Sequence, residues 1–432
     1  MKISVIGGGL AGCEAACYLA HRGYDVTVTE MRGVKSTPCH KTYRLAELVC
    51  SNSLKAVGED TASGMLKAEI DRLGGTLLAL ARKAAVPAGG ALAVDREKFS
   101  LLVEEELQRL GVKVVREEAE SLPKEGITIV ACGPMVADKM AECLAQKCGA
   151  GLHFYDAVAP IVSAASVDMN SAFFAARYDK GEADYLNCPM NREEYSAFRE
   201  ALLGAEKAVI HDFEKGDVFE GCMPIEVLAA RGEDAMRYGP LRPVGLRLAD
   251  GSRPYAVLQL RKENLAGDAY NLVGFQTNLK FSEQKRVFSL IPALREAEFL
   301  RYGIMHRNTY LNAPACLNAD FSLKSDPNVF IVGQLSGVEG YVESMASGLI
   351  GAINAARRAK DEEPFIAPPT TICGALSRHL TAAASNFQPM NANFGILPPL
   401  EGGKIKDKKM RKRAYTLRGM HDLKEACAAA GL

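Results

Sequence analysis

Ile3-Ser-Val-Ile-Gly-Gly-Gly-Leu-Ala-Gly12 joins an apolar run to a glycine turn and the start of a small-residue helix. The run from Ile3 to Ile6 reads as a strand buried on both faces, and Gly7-x-Gly9-x-x-Gly12 has the spacing of a dinucleotide-binding turn. In such a turn one glycine makes the bend, one lets a pyrophosphate approach the backbone, and one lets the helix pack close to the strand. Gly8, Leu10 and Ala11 complete the loop and the first helical turn, whose N–H groups point at the phosphates. The next apolar strand, Asp25-Val-Thr-Val-Thr-Glu30, ends in a carboxylate 18 residues past Gly12, the reach to a ribose hydroxyl. An acid at that place favours FAD or NAD over a 2′-phosphate.

Outward from this unit, Gly64 to Ala85 has helical apolar spacing, and Asp95 to Leu110 a second helical pattern with Asp95 as N-cap. Gly111 to Val115 and Gly126-Ile-Thr-Ile-Val-Ala-Cys-Gly133 read as further strands, the latter ending in another glycine turn. From Asp156 to Asp320 the pattern changes to alternating segments, such as Pro254 to Leu260 and Asn271 to Phe275, separated by turn-rich pieces. The nucleotide pattern then returns in Asn328-Val-Phe-Ile-Val-Gly333, followed by Gly337, Gly340 and a helix from Val342 to Arg358. The expected fold is α/β: a discontinuous Rossmann-like FAD-binding domain over 1–155 and 321–432, with an inserted α+β domain of antiparallel strands over 156–320. Gly333, Gly340 and Tyr341 would close the cofactor site from the far end of the chain.

Composition narrows the function. Lys plus Arg equals Asp plus Glu at 52 each, so there is no bulk field to attract nucleic acid, and RNA would need a local basic patch. One stands in the tail from Gly402 to Arg418, which includes Lys404, Lys406, Lys408, Lys409, Arg411, Lys412, Arg413 and Arg418, with Lys408, Lys409 and Arg411 as candidate phosphate contacts; a solvated helix face is the plainer reading. The 12 cysteines contain no Cys-x-x-Cys, and His40 beside Cys39 has no further spaced ligands, so neither a metal site nor a disulfide framework is expected. Leu10-Ala-Gly-Cys13 has the look of a lipoprotein cleavage box, but the stretch before it is too short and glycine-broken for a signal peptide. Without a long apolar run, the expectation is a soluble protein of a reducing cytoplasm, with no membrane association.

Cys13, Cys17 and Cys132 read as small core hydrophobes. Cys50 differs, because Ser51, Asn52 and Ser53 surround it with polar groups, and Cys222 lies in the irregular stretch Phe219-Glu-Gly-Cys-Met-Pro-Ile-Glu226. Context alone leaves chemistry and packing about even for both thiols.

Longer motifs carry a resemblance. Thr37-Pro-Cys-His-Lys-Thr42, Ala46-Glu-Leu-Val-Cys-Ser-Asn-Ser-Leu54, Val86 to Arg96, Ala183-Asp-Tyr-Leu-Asn-Cys-Pro-Met190, Phe219 to Glu226, Tyr302 to Pro314, Gly337 to Ser344 and Phe387-Gln-Pro-Met390 occur in this order. Together they resemble the bacterial folate- and FAD-dependent tRNA uridine-54 methyltransferases, the TrmFO family. The larger flavoprotein that modifies the tRNA wobble uridine shares the fold but continues into a helical domain beyond the length seen here.

The resemblance implies methylation of uracil carbon 5 from methylenetetrahydrofolate, with reduced FAD as one-carbon carrier and reductant and NAD(P)H restoring it. It makes Cys222 the nucleophile on carbon 6 and Cys50 the base for the carbon 5 proton, roles that the residues alone leave exchangeable. Tyr341 would stack on flavin or folate, or else be a core tyrosine; His306 and Arg307 would meet folate carboxylates or an RNA phosphate, or be structural. The alternatives are the same chemistry on a ribosomal RNA uridine, an NAD(P)H-dependent flavin oxidoreductase of small molecules, and a flavin-bearing RNA-binding protein without catalysis.

Overall fold

A computed structural model describes residues 2–37, 39–149, 152–179, 182–208, 223–382, 387–401 and 405–432, with the side chains at 152–156, 179, 306 and 307 outside that description. Its centre is a six-stranded sheet whose strands come from both ends of the chain, in the order Ser322–Leu323, Asp326–Ile331, Ile127–Val130, Lys2–Ile6, Asp25–Glu30, Lys113–Arg116. All neighbours are parallel except the edge strand Ser322–Leu323. Ile127–Val130 is buried at every position, as its unbroken apolar run requires of a strand covered on both faces.

Two helices cross over one face, Leu10–His21 and the long helix Tyr341–Arg358. Small residues set how close they come, since a Cβ on Gly348 would lie 2.3 Å from the Ala11 carbonyl oxygen. That contact joins the opening motif to the far end of the chain.

The helical pattern from Gly64 to Ala85 is two helices, Ala62–Arg72 and Leu77–Lys83. Gly74 between them takes a φ of +83°, which ends the first helix. Two buried glutamates tie these helices to their neighbours. The Glu14 carboxylate accepts the Thr76 and Leu77 N–H groups at 2.6 and 3.1 Å, and Glu69 accepts those of Ile372 and Cys373 at 2.7 and 2.8 Å. Each satisfies helix N-terminal donors that otherwise have no partner. Burial pushes both carboxyls up to about 7 against the pull of these bonds.

A second six-stranded sheet is antiparallel, in the order Phe173–Phe174, Leu186–Met190, Ala256–Lys262, Ala269–Leu272, Ile161–Ser163, Phe299–Arg301. Phe198, Phe275 and Phe288 fill its core, with Phe275 edge-on to Phe288 at 5.3 Å. The chain enters and leaves this part along an antiparallel ribbon, Leu152–Ala157 against Met305–Tyr310. At the C-terminus, Asp407 caps the helix Lys408–Ala430 by accepting the Met410 N–H, so the basic tail is largely helical. Among the described residues no helix is long and apolar enough to cross a membrane.

Candidate active site

Gly7, Gly9, Leu10, Ala11, Glu30, Gly333 and Tyr341 line one cavity, so the two halves of the nucleotide motif meet. The glycines divide the work as their spacing implies. A Cβ on Gly12 would lie 1.9 Å from the Gly7 carbonyl oxygen, and one on Gly7, whose φ is +104°, 2.3 Å from that of Ala131. At Gly9 a Cβ would have no protein atom within 4 Å, so the open space belongs to the cavity that this residue lines. Gly9 also caps the first helix without a side-chain acceptor, leaving first-turn N–H groups for an anion. These features fit a dinucleotide pyrophosphate.

Glu30 does more than face the ribose position. Its carboxylate accepts the Gly8 N–H at 2.7 Å and the Arg32 backbone N–H and Nε at 2.9 Å each, fastening the glycine loop to the second strand. Burial alone would raise its carboxyl, but the Arg32 guanidinium and these N–H groups outweigh that and hold it below the usual carboxylate range. The buried Arg32 was not singled out in the sequence; a guanidinium two residues past the strand-end acid is its only local signal. Gly333 takes a φ of +72° and gives its N–H to Ser347 Oγ at 2.8 Å. Gly340 lies just outside the cavity as N-cap of the long helix, its φ of +121° turning the chain into Tyr341. Cys132, expected in the core, is half-buried and lines the cavity because the chain has already left the strand there.

Cys50 sits beside this cavity in a backbone held from several sides. The Tyr341 hydroxyl accepts the N–H groups of Cys50 and Ser51 at 2.6 and 3.2 Å. Arg96 Nη1 donates to the Leu48 carbonyl at 2.6 Å, and Arg301 Nη2 to that of Val49 at 2.8 Å. Asn52, fully buried, donates to the Lys262 carbonyl at 2.9 Å and accepts from Arg261 Nε at 2.8 Å. Cys50 Sγ lies 3.7 Å from the Ala157 carbonyl, at the end of the antiparallel ribbon. The thiol is therefore placed jointly by the nucleotide sheet and the antiparallel sheet. Tyr341 thus holds backbone with its hydroxyl as well as lining the cavity, and burial pushes its phenol well up. Arg96, Arg261 and Arg301 are further residues to which sequence reasoning assigned no role; Arg96 closes the motif Val86 to Arg96, and Arg261 is a charge inside the buried strand Ala256–Lys262.

A second, open cavity of about 880 Å³ adjoins the first, Glu47 lining both. Arg44 and Arg96 form part of one wall, and Phe281, Phe299, Arg301 and Tyr302 part of the other. Cys222 lies outside the described residues. The backbone of His306 and Arg307 lies in the ribbon opposite Asp156 and Tyr155, and their side chains are outside the description. Lys408 and Lys409 are exposed and Arg411 half-exposed at the start of the C-terminal helix, and none of the three lines either cavity. Among the described residues no group of three or more His, Cys, Asp or Glu is arranged to hold a metal ion.

The family model described as glucose inhibited division protein A matches residues 2–363. A protein of Desulfitobacterium hafniense (strain Y51) named methylenetetrahydrofolate--tRNA-(uracil-5-)-methyltransferase TrmFO is 55% identical over 434 residues, covering 100% of this chain and 99% of that one. The chain belongs to the TrmFO family, within the GidA-type proteins. A protein of the same name from Streptococcus pneumoniae serotype 4 is 53% identical, over 98% of each chain. The fold of this TrmFO-family chain is also that of Aquifex aeolicus GidA in its form I crystal, with a TM-score of 0.71 at 16% identity over 98% of this chain and 76% of that one. The form II crystal gives 0.69 at 15% identity, over 98% and 73%.

Proposed function

We propose that this chain transfers a one-carbon unit from methylenetetrahydrofolate to carbon 5 of a uridine in RNA, at uridine 54 in the T-loop of tRNA. The observation that carries the reading is full-length identity of 55% to a protein named for that reaction. FAD would be held in the cavity lined by Gly9 and Gly333, where it would supply the two electrons that take the one-carbon unit from the methylene to the methyl level. The residues do the rest. The Cys222 thiolate adds to carbon 6 of uracil, which makes carbon 5 an enolate-like nucleophile toward the one-carbon unit. Cys50 takes the carbon 5 proton, and the carbon 6–sulfur bond breaks as the ring double bond re-forms, returning Cys222 as thiolate. The clamp around Leu48 to Asn52 supports this role by fixing where the Cys50 backbone lies.

The test gives purified protein labelled methylenetetrahydrofolate and NAD(P)H with an unmodified tRNA transcript or a ribosomal RNA fragment. Label is expected in 5-methyluridine at position 54 of the tRNA and not in the ribosomal fragment. No label in either RNA would overturn the reading, and label in ribosomal RNA alone would overturn its tRNA assignment.

Lys408, Lys409 and Arg411 serve as phosphate contacts in this proposal. Positive charge at a helix N-terminus opposes the macrodipole, so these residues weaken the helix that carries them, and an RNA phosphate relieves the conflict. Replacing all three by Gln is expected to weaken tRNA binding and flatten its log–log salt dependence by about 2–3 units, with flavin retained. An unchanged salt slope rejects the contact.

A further inference from the structure

We infer that Phe281, Tyr302 and Phe299 form a stacking platform for an unpaired RNA base that flanks the target uridine. The inference rests on the RNA reading above and adds a second recognition point to it. The three rings are nearly parallel: Phe299 and Tyr302 lie 5.3 Å apart at 5°, and Tyr302 and Phe281 4.9 Å apart at 15°. The series starts in the core, where the fully buried Phe288 is 6.3 Å from Phe299, and ends at Phe281, which is 54% exposed. An apolar ring at the open end of a stack leaves a π face that water serves poorly and a planar heterocycle covers well.

Two observations select the occupant. The first is position: all three rings line the open interdomain cavity, and none lines the dinucleotide cavity. A pteridine or nicotinamide that reacts at the flavin has to reach the dinucleotide cavity, whereas a nucleotide beside the target uridine binds without reacting. The second is charge. Lys41, Arg44, Arg96 and Arg301 line the same cavity together with Glu47, Asp95, Glu97, Glu263 and Asp268; Arg96 is paired with Glu263 and Arg44 with Glu104, and Lys41 is the exposed cation of this lining. A strand that rests a base on Phe281 can bring a phosphate to Lys41. Arg301 also holds the Val49 carbonyl next to Cys50, so the platform is one side chain away from the thiol segment.

The experiment compares wild type with Phe281→Leu and Phe281→Trp as flavin-loaded enzymes. Leucine keeps apolar packing on Tyr302 but has no π face, and tryptophan restores one. With a T-loop hairpin carrying 2-aminopurine next to the target uridine, Phe281→Leu is expected to bind about 5- to 150-fold more weakly and to lose the fluorescence quenching seen in wild type. Phe281→Trp binds at least as tightly as wild type. The salt slope and the KM for methylenetetrahydrofolate and NAD(P)H stay unchanged, since stacking releases no counterions. Equal RNA binding by wild type and Phe281→Leu overturns the platform alone, as does a raised KM for either small co-substrate with RNA binding unaltered. Wild-type protein that binds no RNA overturns the functional reading and the platform with it.

Discussion

Gly9→Ala is expected to give a protein that folds as wild type does yet no longer binds flavin, whereas Gly12→Ala is expected to lose stability and flavin together. The difference follows from what a methyl group meets. At Gly9 the backbone is extended, with φ −77° and ψ −169°, and a Cβ has no protein atom within 4 Å. Alanine is therefore unstrained there, and its only collision is with a ligand in the cavity. At Gly12 the same methyl lies 1.9 Å from the Gly7 carbonyl oxygen, a backbone atom that cannot rotate away. Overpacking of that kind costs about 1–3 kcal/mol before any ligand is considered. Thermal unfolding with and without added FAD separates the two effects. At a thousandfold excess over its dissociation constant, FAD should stabilise wild type by about 4 kcal/mol. Gly9→Ala should melt like ligand-free wild type in both conditions, and Gly12→Ala below it in both. A full flavin-dependent shift in Gly9→Ala would show that the pyrophosphate does not lie against this residue.

These glycines show why the nucleotide half of the fold was legible. A turn that brings backbone against backbone admits only glycine, so its geometry is written into residue type at fixed spacing: Gly12 meets the Gly7 carbonyl and Gly7 that of Ala131, while Gly9 leaves open space for a ligand. The strand beginning at Asp326 and the helix beginning at Tyr341 were readable for the same reason, through Gly333 and Gly340 between them. What stayed hidden depends on long-range contacts. Nothing near Glu14 or Glu69 says that their carboxylates cap helices starting 63 and 303 residues away. Asn52 was visible as a polar neighbour of Cys50, but its bonds to Arg261 and to the Lys262 carbonyl arise only when the antiparallel sheet docks. Gly74 gave a local signal within a helical period, yet glycine is tolerated inside helices often enough that its positive φ is known only from the fold.

Cys50→Ala and Cys222→Ala are expected to stop methyl transfer at different points, which assigns the two sulfur roles. If Cys222 is the nucleophile, removing it prevents the bond to carbon 6, and no covalent protein–RNA adduct forms under any condition. If Cys50 is the base, its removal leaves addition and one-carbon transfer possible but blocks loss of the carbon 5 proton. A covalent adduct then accumulates on ordinary uridine, and turnover falls by about 10²–10⁴-fold, the usual contribution of a positioned base. Flavin content is measured in both variants, and Cys50→Ala should keep it, because Cys50 is not among the residues lining the dinucleotide cavity. Tyr341→Phe refines the assignment. It removes the acceptor of the Cys50 and Ser51 N–H groups while keeping the ring, so the thiol stays but its backbone is freed. A displacement of even 1 Å lowers turnover by up to about 10²-fold, so this variant should be slower than wild type but still complete the cycle without trapped adduct. Denaturing gel mobility of labelled RNA reads the adduct in each case. An adduct that persists in Cys222→Ala and vanishes in Cys50→Ala would exchange the two roles and make the clamped loop the carrier of the nucleophile.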